Sequence, residues 1–136
     1  MNDDIGEQFL IPTITVDESY RSVFAEEVFP ASWRSKLLLS EQVSAVNFRW
    51  RSSEAGYRSD WHVAGDPTLI IVLSGCLRVC LRDGTSLDFS AGSHFIAKDY
   101  LPKAKRFDDA LYGHRAEVMG TQKLEAIHIK LSFLSH

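Results

Sequence analysis

The sequence predicts an all-β domain, and three observations carry that prediction. Short segments rich in β-branched and aromatic residues recur at 11–16, 43–51, 68–73, 77–82, 86–89, 94–98, 115–119 and 124–133. Turn residues stand between them: Pro30, Gly56, Gly65-Asp66-Pro67, Ser74-Gly75, Asp83-Gly84, Ala91-Gly92 and Gly120-Thr121. Asp83-Gly84 lies between two such segments, the strongest short signal for a β-hairpin. Many short strands at this spacing read as a two-sheet sandwich or barrel rather than as α/β.

Taken in order, residues 1–8 are polar and are expected to fray. The apolar segment 9–16 reads as a strand, and as the natural candidate to pair across the subunits of a homodimer. Exposed sheet edges tend to be covered by partners, and two-fold dimers are the commonest homo-oligomers. Residues 32–41 are the one stretch with helical character, short and weak. The run Leu69-Ile-Ile-Val-Leu73 has no polar alternation and reads as a strand buried on both faces. Ser74-Gly75 predicts a second hairpin, so that three consecutive antiparallel strands span 68–89. In the last strand Glu125, Ile127, Ile129 and Leu131 share one face, and Ala126, His128 and Lys130 the other. Cys76 and Cys80 fall on one face of a strand, roughly 13 Å apart at about 3.3 Å per residue, too far for a disulfide. They are expected to act as small hydrophobes.

At 136 residues the chain fits one domain across 1–136, with no repeat, low-complexity tract or linker to divide it. The net charge of −3, with both signs interspersed, offers no basic surface for nucleic acid or an anionic membrane. No apolar run approaches the roughly 18 residues that span a bilayer. The acidic opening, Met1-Asn-Asp-Asp, is the reverse of a signal peptide, so a cytoplasmic location is expected. The chain lacks a Gly-rich phosphate loop, a Gly-x-Ser-x-Gly elbow and a His-Glu-x-x-His pair. The basic run Lys103-Ala-Lys-Arg106 is followed by Asp108-Asp109 and reads as a solvated loop.

Two spaced motifs are more specific. Gly56 is followed after five residues by His62, then by Ala64, Thr68 and, after six more, Gly75. Gly84 is followed after five residues by Ser90-Ala-Gly92, then by Phe95 and Asp99. This spacing resembles the cupin superfamily, whose first motif runs Gly, five residues, His-x-His, three or four residues, Glu, six residues, Gly. Its second runs Gly, five residues, Pro-x-Gly, two residues, His, three residues, Asn. The resemblance covers about residues 43–133. Trp61-His62 and Gly113-His114 are also similar to a cupin subgroup with an early Trp-His and a late Gly-His. The resemblance implies a cupin-type double-stranded β-helix, an antiparallel jelly-roll barrel enclosing a pocket for one small ligand.

In that family two His and a Glu of the first motif and a His of the second hold a divalent transition metal. Only His62 survives at these positions; Ala64, Thr68 and Phe95 replace the other three ligands. The standard metal site is therefore lost or rearranged. A rearranged set would draw on His62, His114 and Asp60, or Asp66 in place of Asp60. His94 lies one residue from the family position, which turns it to the opposite face of its strand. His128 is left facing either the barrel mouth or solvent, and His136 is terminal. The pocket is expected to be formed by Trp61, His62, Thr68, Phe95, Tyr100 and His114, among aromatics that include Trp50, Tyr57 and Tyr112.

The leading reading is a cytoplasmic cupin barrel that binds a small organic molecule, with no cofactor or a weakly held divalent transition metal. A second is a metal-dependent oxygenase or isomerase using the His62/His114/carboxylate set. A third is a non-catalytic interaction module. Fold resemblance alone does not choose among them.

Overall fold

A computed structural model describes residues 6–132. Ten strands form: β1 (Glu7–Val16), β2 (Ser22–Arg34), β3 (Leu37–Ser40), β4 (Ala45–Ser53), β5 (Thr68–Ser74), β6 (Cys76–Cys80), β7 (Ser86–Ser90), β8 (His94–Ala97), β9 (Arg115–Met119) and β10 (Leu124–Leu131). Among the described residues there is no helix, and so none long and apolar enough to cross a membrane. The all-β prediction is what the chain forms.

The strands make a seven-stranded sheet in the order β3-β2-β1-β8-β5-β10-β4 and a three-stranded sheet in the order β7-β6-β9. All pairings are antiparallel except β1 with β8, which run parallel over Thr13↔Ile96 and Ile14↔Ala97. Directly opposed residues share a face, so the registers divide the large sheet into two surfaces. One cross-strand row runs Arg51–Ala126–Val72, and its neighbour runs Arg49–His128–Ile70–Phe95. These inner rows face the small sheet. Ile70, Val72, Phe95 and Ala126 pack there against Leu77, Val79, Phe89 and Val118 in one buried cluster. Phe89 and Phe95 stack across the two sheets with ring centroids 4.3 Å apart.

Four expectations are corrected. The Ser74-Gly75 step is not a hairpin, because β5 pairs with β8 and β10 while β6 pairs with β7 and β9. It is the corner where the chain leaves one sheet for the other. Gly75 makes that corner with φ 84°, and a Cβ there would lie 2.6 Å from the carbonyl oxygen of Lys123. The Asp83-Gly84 hairpin does form, between β6 and β7, with Cys80 opposite Ser86.

Residues 32–41 are not helical. β2 is held by β1 as far as Ala31, continues past it, turns at Ser35 (φ 56°) and pairs back with β3. Tertiary pairing overrides a weak helical propensity. The opening is more ordered than expected as well, since Glu7 and Gln8 already pair with Ala31 and Pro30; residues 1–5 and His136 lie outside the described residues. Finally, segment 9–16 is paired along its whole length with β2 of the same chain. That edge is taken before any partner subunit arrives, while the other edge of β1 meets β8 only at Thr13 and Ile14.

Candidate functional site

Between the sheets lies a cavity of about 390 Å³. Its floor is apolar: Ile70, Leu77, Val79, Phe95 and Leu124. Its polar side draws on three parts of the chain. Arg51 and Ser53 come from β4 and His128 from β10. Tyr57, Ser59, Asp60 and His62 come from the connection between β4 and β5, and His114 immediately precedes β9. An apolar body with a few convergent polar groups is the usual make-up of a small-molecule pocket.

His62 and His114 are brought together by the backbone. Each N–H donates to the other's carbonyl, at 3.0 and 2.9 Å, an isolated bridge that ties the 54–67 connection to the start of β9. Their rings lie with centroids 4.5 Å apart. His62 sits at the open mouth, whereas His114 is 5% exposed. The Nδ1–H of His62 donates to the carbonyl oxygen of Asp60 at 2.8 Å, and a carbonyl only accepts. The Nδ1 of His114 is 2.7 Å from Oδ2 of Asp99, a fully buried carboxylate. Asp99 is itself held by the hydroxyl of Ser22 at 2.6 Å and the backbone N–H of Ala64 at 2.9 Å. Both rings are therefore fixed through Nδ1, and both leave Nε2 for the cavity.

Electrostatics favour the neutral form of His62 and of His128. Burial of its ring lowers the pKa of His62, the Asp60 carbonyl opposes this, and His114 lowers it further. Burial lowers His128 to about 4, with Arg51 and Arg49 adding like-charge repulsion. The inward row thus carries guanidinium charge beside uncharged rings.

Of the six residues expected in the pocket, the structure brings His62, Phe95 and His114 to the cavity and leaves the other three outside it. Trp61 lies outside the cavity, with the guanidinium carbons of Arg82 and Arg115 over its ring at 4.0 and 4.8 Å from the ring centre. Tyr100 packs edge-on against Tyr20, centroids 5.7 Å apart. Thr68 lies at the start of β5, where its hydroxyl donates to the Asp66 carbonyl at 3.1 Å. Trp50 projects from the opposite face of the large sheet.

The expected metal set is not assembled. Asp60 meets His62 through its backbone carbonyl, Asp66 lies 3.6 Å from Lys130, and His94 is exposed on the outer face. The one carboxylate in contact with the pair, Asp99, is bound to Nδ1 behind the His114 ring. Among the described residues, no group of three or more His, Cys, Asp or Glu is placed to hold a metal ion. The residues present do not fit a divalent ion with three protein ligands.

Sequence reasoning missed Asp99, Arg51 and Ser22. Asp99 stands at a motif position, but an acidic residue 15 places before His114 gives no sign that it will sit behind that ring. Arg51 was legible only by alternation along β4, once β4 was known to pair with β10.

No protein-family model matches the chain, and no curated protein sequence matches it. Solved structures similar to it in fold include a cupin-2 domain protein of Shewanella frigidimarina, at 19% identity and TM-score 0.44, covering 62% of this chain and 69% of that one. A cupin domain of Bordetella pertussis matches at 11% identity and TM-score 0.46, over 68% of this chain and 91% of its own. The cupin domain of Schizosaccharomyces pombe Cnp3 matches at 10% identity and TM-score 0.44, over 90% and 83%.

Proposed function

We propose that the chain binds a small, negatively charged organic molecule in the cavity between its sheets. The observation that carries this reading is the convergence of Arg51 with three histidines, His62, His114 and His128, on the polar side of a cavity of about 390 Å³, where Asp60 is the one acidic lining residue and meets His62 through its backbone carbonyl. Arg51 supplies a fixed positive charge with a planar array of donors suited to a carboxylate. Ser53, Ser59 and Tyr57 add hydroxyl groups, while Phe95, Ile70 and Leu77 accept the apolar body. The rings of His62 and His128, whose burial favours the neutral form, add hydrogen-bonding capacity without repelling Arg51.

Thermal stabilisation by a library of small organic acids tests the reading, since a ligand that binds only the folded chain raises its melting temperature. Carboxylates are expected to stabilise the native chain and to lose that effect in Arg51→Ala and His62→Ala. Stabilisation confined to neutral or cationic compounds would overturn it. A metal-dependent oxygenase or isomerase is distinguished by elemental analysis of protein purified without chelator. Stoichiometric transition metal would favour that reading over this one.

A further inference from the structure

We propose that the cavity is a metal-independent proton-transfer site, with His114 as the base and Asp99 as its positioning residue. The proposal rests on the binding reading above and adds a reaction class to it. Its substrate class is a small carboxylate that also carries a carbonyl with a C–H bond beside it.

Four features converge. A general base needs a nitrogen lone pair in the site, and in the neutral ring of His114 the tautomer is set by Asp99, which takes Nδ1–H and leaves the lone pair on Nε2. The carboxylate is held in turn by Ser22 and Ala64, so it has no rotational freedom to release the ring. A positively charged imidazole that forms on proton uptake is stabilised by the buried carboxylate directly behind it. This geometry is more than His114 needs for packing, where one neutral hydrogen bond would do.

The second feature is His62, whose Nδ1–H is likewise fixed and whose Nε2 also faces the cavity. With its ring 4.5 Å from that of His114, it is placed to accept or return a proton on the substrate side. Third, Arg51 lines the same cavity and provides the cation on which an anionic substrate and a developing oxyanion are held. Fourth, the apolar floor limits water around the base, which strengthens each of these interactions.

The step balances without an external reagent. The C–H bond next to the carbonyl breaks, and its electron pair forms the C=C bond of an enolate. The carbonyl π pair moves to oxygen, opposite Arg51, and the proton goes to Nε2 of His114. Return of a proton to carbon reverses the step or completes an isomerisation.

The test is a single NMR sample in D2O, with pyruvate, 2-oxobutyrate and levulinate as probes. Saturation transfer reports binding, and loss of the carbon-bound proton signal reports exchange. At least one probe is expected to bind and to exchange about 10²–10⁴-fold faster than in buffer, the usual contribution of a positioned base. His114→Gln should abolish that acceleration while saturation transfer persists. Asp99→Asn should lower the maximal exchange rate with little change in the concentration for half-saturation, and should move the ring proton of His114 from Nδ1 in nitrogen-15 spectra. If Asp99→Asn fails to fold, His114→Gln alone decides. Binding without exchange, or exchange unchanged in His114→Gln, overturns proton transfer and leaves the binding reading standing. Absence of saturation transfer from every probe overturns the carboxylate class on which both rest.

Discussion

A Cβ built on Gly113 would lie 2.6 Å from the carbonyl oxygen of His62 and 2.8 Å from its backbone nitrogen. The two histidines meet because the residue before the second one has no side chain. Gly113 also has φ 86°, a conformation that L side chains rarely adopt. Gly113→Ala is therefore expected to cost about 2–4 kcal/mol, from backbone strain and loss of the paired hydrogen bonds between residues 62 and 114. Urea unfolding measures the loss. Wild-type stability with an unchanged ligand profile would show that the close approach is not needed.

Asp99 and Ser22 make a second specific prediction, because they join β2 to the loop behind the site. Replacing Ser22 by Ala removes one charge-assisted hydrogen bond and is expected to cost about 1–2 kcal/mol. Asp99→Ala strands the Ala64 N–H, the His114 Nδ1–H and the Ser22 hydroxyl together, and is expected to cost about 3–5 kcal/mol. Equal losses in chemical denaturation would show that Asp99 does not gather all three partners.

The Asp83-Gly84 hairpin was legible because it depends on two or three adjacent residues. Strand identity was legible for the same reason. What could not be read was which sheet each strand joins. Ser74-Gly75 has the chemistry of a hairpin turn, and only the positions of β8, β9 and β10 make it a corner. Residues 32–41 read as weakly helical, whereas their strand character comes from the continuation of β2 and its pairing with β3, not from their own pattern. At the site, His62 and Phe95 followed from motif spacing and His114 from the late Gly-His pair. Asp99 became meaningful only through contacts made across 15 and 77 residues of chain. Trp61 failed in the other direction, since this neighbour of a pocket histidine lies outside the cavity.

Acid sensitivity is expected to centre on His128. Its folded pKa, about 4, lies below the ordinary 6.5, so the folded state prefers the neutral ring. The corresponding stability is complete above about pH 6.5 and is lost as pH falls from there toward 4. After discounting for the solvent that reaches this partly exposed ring, the effect is about 2 kcal/mol. His62 shifts in the same direction and adds to the slope. Arg49 and Arg51, across from His128 on β4, repel its charged form, and the nearest acidic groups, Asp60 and Asp99, face the other two histidines. His128→Gln should flatten part of the decline in melting temperature between pH 6.5 and 4. A parallel decline in the variant would assign the sensitivity elsewhere.

The outer face of the large sheet is expected to be the contact between two copies of the chain. Two cross-strand rows run over it, Phe48–Ile129–Leu69–Ile96 and Trp50–Ile127–Ile71–His94; Ile96 at the β8 end is buried, and the β4 end is exposed. Trp50 is 67% exposed and Phe48 59%. With Phe9, Val43 and Val46 these side chains expose on the order of 400 Å² of apolar surface, within the range of the largest patch on an ordinary monomer. The partly exposed isoleucines beside them extend it toward the roughly 800 Å² per partner that a stable complex buries. The charges beside the rows are paired, Glu27 with Lys98 at 2.7 Å and Glu125 with Lys123 at 3.6 Å, so the face carries no excess of one sign. A neutral apolar sheet face is matched by another of the same kind, and sheet-on-sheet packing about a two-fold axis gives each copy the same surroundings. Light scattering at micromolar concentration should give the mass of a dimer. Trp50→Glu and Phe48→Glu together should return it to a monomer with the strand content of its circular dichroism unchanged. A native chain that is monomeric at that concentration would end this assignment.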